Sequence, residues 1–579
     1  MGPLMLGEFT LHGLDYAAII GYFGLLAAVG IWVGRKERTQ PDEYFLAGRT
    51  LPWYVVGSSF VASNISTEHF IGMIGAAYVF GLVPAMSEWG NIWVFSLLIW
   101  FFIPFLLASR VFTVPEFLER RFNPTLRMFF AVVTIISNVV AFLAAVIYGG
   151  AVALQSLFGW PLWFGVLSIG LVGGGAAIYG GLKSVAWTDF LTIIIMILGG
   201  LAVTILGLQY LSGGSNSIVD GFRVMIERNQ GTVEPWAQAA VQHAQRMAGT
   251  ADYNRLAVIQ PLTHESHPWP SLLFGFLSVS VWYNVLNQFM IQRVLGARDQ
   301  YHARMGIVLA GFMKVLMPAI VVVPGLILFA IDPSTLLILP FNEAKSQADR
   351  TYIVLLQQLV PIGLRGLLLA ALFGAIQSTV NSVVNSTATV LTLDIYQRHV
   401  NPRAGQRRVV VVGMIASAAV TLLAIALAPA IQKLGKGLFV YVQELYAFFA
   451  PPFAAIFLLG ILFRRINAAG ATTAVFAGFV LGIGMKLFVA HSDAAPWLAP
   501  YAMQAIFNWC FCVVVCVVVS LLTAPPPAER TTDQLTINWR RLNILGGLGT
   551  NIFNSVVTWW LLFVAMILAL VVIFSGAFF

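Results

Sequence analysis

Between Val61 and Met73 the sequence reads VASNISTEHFIGM, so Ser63, Asn64, Ser66, Thr67, Glu68 and His69 crowd into the middle of an apolar run from about Leu51 to Tyr78. Such a run is long enough to cross a bilayer, yet lipid offers nothing to satisfy those polar groups. The conflict disappears if the helix breaks there and turns its side chains and freed carbonyls toward a protein-lined cavity. A helix broken at mid-membrane depth points to a transporter.

The rest of the chain agrees about the solvent. With 59% hydrophobic residues, 10% charged residues and a mean hydropathy of +0.85 over 579 residues, an ordinary soluble domain is excluded. At roughly 20 residues per span, about fourteen spans are expected. They fall near 13–34, 52–78, 80–108, 127–155, 161–180, 184–209, 270–292, 305–331, 352–391, 408–428, 437–462, 468–490, 500–523 and 553–577. The N-terminus, MGPLMLGEFTLHG, has no basic stretch before its first apolar run, which reads as a retained span.

Alternate connections are basic: RKER at 35–38, Arg49, Arg110, LERRF at 118–122, Arg127, Lys183, Arg293, Arg298, Arg304, Arg398 to Arg408, Arg464, Arg465, Arg530, Arg540 and Arg541. That side is expected in the cytoplasm, with both termini outside a plasma or inner membrane. A long segment at about 212–269 is then an extracellular loop, either a lid or a spacer. The net charge of +8 is spread over few charges, so no dense basic patch for nucleic acid is present. Cys510, Cys512 and Cys516 share one apolar segment and cannot staple loops or form a two-segment metal site.

A five-helix unit used twice must invert, because five is odd. If the broken second span opens one repeat, the seventh opens the other, and its centre, SVSVWYNVLNQ, is again polar: Ser278, Ser280, Tyr283, Asn284, Asn287 and Gln288. No Gly or Pro marks the break there. Glu68, Glu88, Asp189, Lys314, Glu444 and Asp394 lie within spans, where each needs a cavity or a partner. In the ninth span, Ala375, Ser378, Thr379 and Ser382 share one helical face. With carbonyls freed around Ala62 and Ile65, those hydroxyls suit a hard cation such as Na+; simple helix packing by hydroxyls is the alternative.

The runs DEYFLAGR (42–49), ASNISTEHFIGM (62–73), SEWG (87–90), IYGGLKSVAWTD (178–189), NQFMIQR (287–293) and NSTATVLTLDIY (385–396) together resemble the sodium:solute symporter family, and within it the sodium/glucose and sodium/galactose branch. The resemblance implies an all-α integral membrane protein with the LeuT-like inverted 5+5 repeat. One membrane transport domain over 1–579 is expected: a leading helix at 13–34, a core at 52–462 and three trailing helices at 468–577. It also implies no enzyme activity, Na+ as the coupling ion, a small neutral sugar as substrate, the lipid bilayer as surroundings and no obligate protein partner.

Carried onto this sequence, the family's sodium site falls on the carbonyls of Ala62, Ile65 and Ala375 and the hydroxyls of Ser378 and Thr379. The sugar residues fall on Asn64, His69, Glu88, Ser280, Lys314 and Gln443, with Tyr283 as platform and inner gate and Met73 and Phe439 as outer gate. A second Na+ at Asp189, Asn381 and Ser382 is implied by two-sodium members, with Asn381 standing in for a hydroxyl. Bacterial galactose carriers of the branch have asparagine at Ser280 and glutamine at His69, and Asn284 replaces a tryptophan. The main alternative is a symporter of the same family for inositol, an amino acid or a carboxylate; against a carboxylate stands Glu88, which would repel an anion unless Lys314 overrode it. HESH at 264–267 is the one hydrolase-like motif, and it lacks further ligands nearby.

Overall fold

The computed structural model describes residues 11–35, 40–109, 111–247, 253–265, 267–434, 438–492 and 494–578; Arg110, Ser266 and most of the RKER run lie outside them. Apart from a single bridge between Leu51 and Ala297, regular structure among the described residues is helical.

The membrane-length helices, in chain order, are α1 (Gly13–Gly34), the broken pair α2 (Trp53–Asn64) and α3 (Ile74–Phe80), α4 (Val83–Ser109), α5 (Pro124–Phe158), α6 (Leu162–Gly175), α7 (Gly181–Leu211), the second broken pair α8 (Pro270–Leu286) and α9 (Gln288–Leu295), α10 (Gln300–Ile331), α11 (Arg365–Val400), α12 (Gln406–Ile431), α13 (Leu438–Leu462), α14 (Ala468–His491), α15 (Tyr501–Leu522) and α16 (Val556–Ile573). Among the described residues, eleven helices are long and apolar enough to cross a membrane unbroken. The three remaining expected positions are the two broken helices and the short α6. The ninth span begins later than the sequence implies: Thr351–Leu359 is a separate helix, and Pro361 and Gly363, at φ +93°, turn the chain before α11. Asp15 of α1 then caps α11, accepting from the N–H of Gly363 at 3.1 Å and Gly366 at 2.7 Å.

The two broken helices run antiparallel. At one end, the N–H of Leu51, just before α2, donates to the carbonyl of Gly296, just after α9, at 3.1 Å, and Arg298 N–H returns to Leu51 at 3.0 Å. At the other end, Leu82 N–H donates to Arg255 in the segment leading to α8, at 2.7 Å. The start of one pair therefore neighbours the finish of the other. That is the inverted 5+5 arrangement of LeuT-like folds, with α2 to α7 as one repeat and α8 to α13 as its inverse. Glycines allow the closest approach: a Cβ on Gly57 of α2 would lie 2.4 Å from the carbonyl of Gly306 in α10. Gly181, at φ +59°, separates α6 from α7.

Three arginines expected among loop charges are buried: Arg121, Arg293 and Arg304. Arg121 caps the end of α13, donating to the carbonyls of Gly460 and Ile466, each at 2.8 Å. Arg304 donates to the Gly546 carbonyl at 2.6 Å. Asp394, expected to need a partner, has Arg127 at 2.7 Å and the Thr113 hydroxyl at 2.9 Å.

The 212–269 segment is built, not loose. It contains helices Ile218–Gln230 and Pro235–Met247. Arg255 caps the end of α3, donating to the carbonyls of Tyr78 at 2.9 Å and Val79 at 2.7 Å, and its guanidinium lies 3.6 Å from the ring centre of Phe329.

Candidate functional site

The first break is made by Ile65, extended at φ −81° and ψ 120°, followed by Ser66. The Ser66 carbonyl accepts the N–H groups of His69 and Phe70, so it starts the next helical stretch, a wide π-helical turn over Glu68–Met73. The carbonyls at the end of α2 are thereby released from intrahelical bonding and point toward α11. Thr379 Oγ1 donates to the Ile65 carbonyl at 3.1 Å and the Ser63 carbonyl at 3.3 Å. Ser378, one residue earlier, donates to Asp189 Oδ1 at 2.6 Å. Ala62, Ile65, Ala375, Ser378 and Thr379 are all buried in this layer. The structure thus joins Ile65 to Thr379, with Ser378 the neighbouring residue on α11, while Ala62 and Ala375 are buried on the same two helices, α2 and α11.

One turn along α11, Ser382 shares a hydrogen bond with Ser63 at 2.8 Å. Asp189 Oδ2 accepts from Ser59 at 2.6 Å and Ser63 at 3.3 Å. Asp189 and Ser382, expected at a second ion, also surround Arg293. Its guanidinium donates to Ser59 Oγ at 3.2 Å and to Ser382 Oγ, and stands 3.9 Å from Asp189. A fixed positive charge therefore occupies the oxygen-rich corner where a second Na+ was expected. Asn381 Oδ1 is buried and makes no hydrogen bond among the described residues.

Above this layer lies a cavity of about 140 Å³. Asn64, His69, Met73, Glu88, Ser280, Tyr283, Lys314 and Gln443, dispersed over 380 positions of sequence, all line it. They are already cross-linked. Lys314 Nζ reaches Glu88 Oε2 at 2.6 Å and donates to Asn64 Oδ1; His69 Nε2 lies 3.2 Å from Glu88 Oε1; Asn64 Nδ2 donates to the Tyr283 hydroxyl at 2.5 Å. Gln443 donates to Glu68 at 2.9 Å. Ser280 lines the cavity as well, and its carbonyl accepts from Asn284 at 3.0 Å. Because Lys314 and Glu88 neutralise one another at contact distance, the wall they form carries little net charge while exposing both donors and acceptors.

The cavity floor is aromatic. Tyr283 meets Tyr446, Phe289 and Phe142 at centroid distances of 5.4, 5.7 and 5.9 Å. Phe439 does not line the cavity; it stands behind His267 and against Gly72. Ser87, Asn91, His267, Tyr446 and Tyr501 line the cavity without having been singled out. Ser87 adjoins Glu88 in SEWG, and His267 belongs to HESH, so the sequence carried both names without their setting. Tyr501 has no local signal at all.

A profile of the sodium:solute symporter family matches residues 44–478. The chain is 32% identical over 550 residues to a sodium/glucose cotransporter of Vibrio parahaemolyticus, covering 92% of this chain and 96% of the relative. It is 31% identical over 565 residues to a sodium/myo-inositol cotransporter of Homo sapiens, covering 93% and 77%. Among solved structures it is similar to the substrate-bound, outward-open state of a Na+-coupled sialic acid symporter, with a TM-score of 0.70, 19% identity, and 89% and 99% of the two chains covered. That last likeness concerns the fold.

Proposed function

The chain belongs to the sodium:solute symporter family, and from that premise we propose that this Na+-coupled symporter takes up a neutral, ring-shaped polyol, a hexose first and an inositol as the second candidate. The observation that carries the substrate class is the Lys314–Glu88 pair at 2.6 Å, flanked by Asn64 and His69 and facing the cavity. A sugar hydroxyl both donates and accepts, and this wall alternates the two. An ionic solute would find the Lys314 and Glu88 charges already paired with one another, and an anion would in addition meet Glu68. The faces of Tyr283 and Tyr446 suit the apolar C–H side of a sugar ring. By the measure of ~10–15 Å³ per water, the cavity holds about ten waters, room for one small polyol.

Na+ at the Ala62, Ile65, Ala375, Ser378 and Thr379 oxygens holds the first break against α11, and Asn64, one residue before that break, carries the effect to Lys314 and Tyr283. Occupancy of the ion site and order in the solute cavity are then linked, and alternating access moves both together. His267, at the end of the 212–269 segment, lines the cavity, and the distribution of basic residues supports an extracellular setting for that segment. Arg293 supports a single Na+ per solute, because its guanidinium already balances Asp189.

Uptake of labelled D-glucose, D-galactose, myo-inositol, L-alanine and lactate into proteoliposomes, with and without an inward Na+ gradient, tests this. A polyol should accumulate only with the gradient. Accumulation of alanine or lactate instead would overturn the substrate class, and Na+-independent uptake would overturn the coupling.

A further inference from the structure

One wall of the cavity comes from outside both repeats. His267 lies three residues before α8, at the end of the 212–269 segment, and is 8% exposed. Its Nε2 shares a hydrogen bond with Ser87 Oγ at 3.0 Å. Its ring stacks on Phe439 at 5.9 Å and 17°, and meets Tyr501 edge-on at 6.4 Å and 81°. Each contact belongs to a different part of the protein. Ser87 precedes the Lys314-bonded Glu88, Phe439 shares α13 with Gln443, and Tyr501 opens α15. One imidazole thus joins the mouth of the cavity across three elements.

The segment holds that imidazole in place from behind. His267 N–H donates to His264 Nδ1 at 3.1 Å. His264 is buried and packs on Tyr253 and Phe80 at 5.4 and 5.6 Å. The Tyr253 hydroxyl donates to the Phe80 carbonyl at the end of α3. A spacer would need none of this. Burial pushes His267 down to about 4, so the ring is neutral at physiological pH and keeps both a donor and an acceptor.

We propose that His267 is a further solute-binding residue, which with Ser87 holds a hydroxyl of the bound polyol at the mouth of the cavity and slows its release on that side. The proposal rests on the cavity being the polyol site. It adds a contact from a segment that neither repeat contains, and it gives the Phe439 side chain a role through the ring it supports.

Dissociation constants and release rates for D-glucose and myo-inositol, measured on purified protein in nanodiscs with saturating Na+, decide the matter. His267→Ala should weaken the bound polyol about 10-fold, chiefly through faster release, and Ser87→Ala about 3-fold. The double variant should lie within about twofold of His267→Ala, because the two residues act as one contact. His267→Gln should recover most of the loss, and Na+ binding without polyol should stay unchanged throughout. Should His267→Ala fail to give monodisperse protein, His267→Phe, which keeps a ring against Phe439 and loses the hydrogen bond, takes its place. Constants within twofold of wild type for His267→Ala or His267→Phe and for Ser87→Ala, with Lys314→Ala weakening binding roughly 100-fold, would overturn the role of His267 and leave the cavity assignment standing. Unchanged binding in Lys314→Ala would overturn the cavity assignment and the proposal with it.

Discussion

The two broken helices bend alike and offer different chemistry. Ile65 and Asn287 have nearly the same conformation, with φ −81° and ψ 120° against φ −70° and ψ 122°. At the second break, however, one residue does everything: Asn287 N–H closes onto Trp282 at 2.7 Å, and its carbonyl accepts from Met290 and Ile291 at 3.1 Å each. The first break is one residue longer. Ser66 takes over the task of starting the next helix, and the Ile65 carbonyl is left for Thr379. A single additional residue therefore separates a break that consumes its own backbone groups from one that leaves a carbonyl for a side chain of α11. An inverted repeat supplies two bends, and only the first is proposed here as the cation site.

The variants that probe this asymmetry differ in size. Lys314→Ala should have the largest effect, since it removes the charged donor from the solute wall, a loss of about 3 kcal/mol or roughly 100-fold in solute affinity. Equilibrium binding of D-glucose or myo-inositol would measure it. Thr379→Ala should cost about 2 kcal/mol at the first break, raising the Na+ concentration for half-maximal uptake roughly 30-fold. Asp189→Asn should raise that concentration several-fold, because Asp189 holds the Ser378 hydroxyl at 2.6 Å, while leaving one charge moved per neutral solute. Reversal potentials on proteoliposomes count that charge; one Na+ at about 100 mV and a tenfold gradient supports roughly 500-fold accumulation, and two would support its square. Asn287→Ala should do least. Both amide atoms of Asn287 are buried without hydrogen-bond partners among the described residues, so removing them should leave Na+ affinity within twofold and thermal stability equal or higher. A large loss of Na+ affinity in Asn287→Ala would erase the distinction between the breaks.

Much of this was legible in the sequence because lipid makes polarity conspicuous. The run from Ser63 to His69 announced the first break, and Glu88 and Lys314, within apolar spans, announced that each needed a cavity or a partner, without saying that they would meet. The second break was legible only as a polar neighbourhood: Asn287 bends the chain without glycine or proline, and wide π-helical turns over Phe276–Ser280 and Trp282–Leu286 leave no compositional mark. Arg293 misled in a different way. It stands near a span end, where arginine normally reaches water, and only the packing of α9 against α2 and α11 turns it inward beside Asp189. His267 was hidden for a third reason, since its place over the cavity depends on the path of some fifty preceding residues pinned by Arg255 and His264. The gathering of Gln443 and Tyr283 into one cavity was expected through resemblance to a family, because nothing in their local sequence ties them together.

Reciprocal linkage between Na+ and solute tests the central claim most directly. In wild-type protein, saturating Na+ should tighten D-glucose or myo-inositol binding by the same factor by which that polyol tightens Na+ binding, as any shared equilibrium requires. In Thr379→Ala the Na+ concentration needed to tighten solute binding should rise roughly 30-fold, while solute binding measured without Na+ stays at the wild-type value. A Thr379→Ala protein whose solute binding still tightens over the wild-type range of Na+ concentration would contradict the assignment of the coupling ion to the first break.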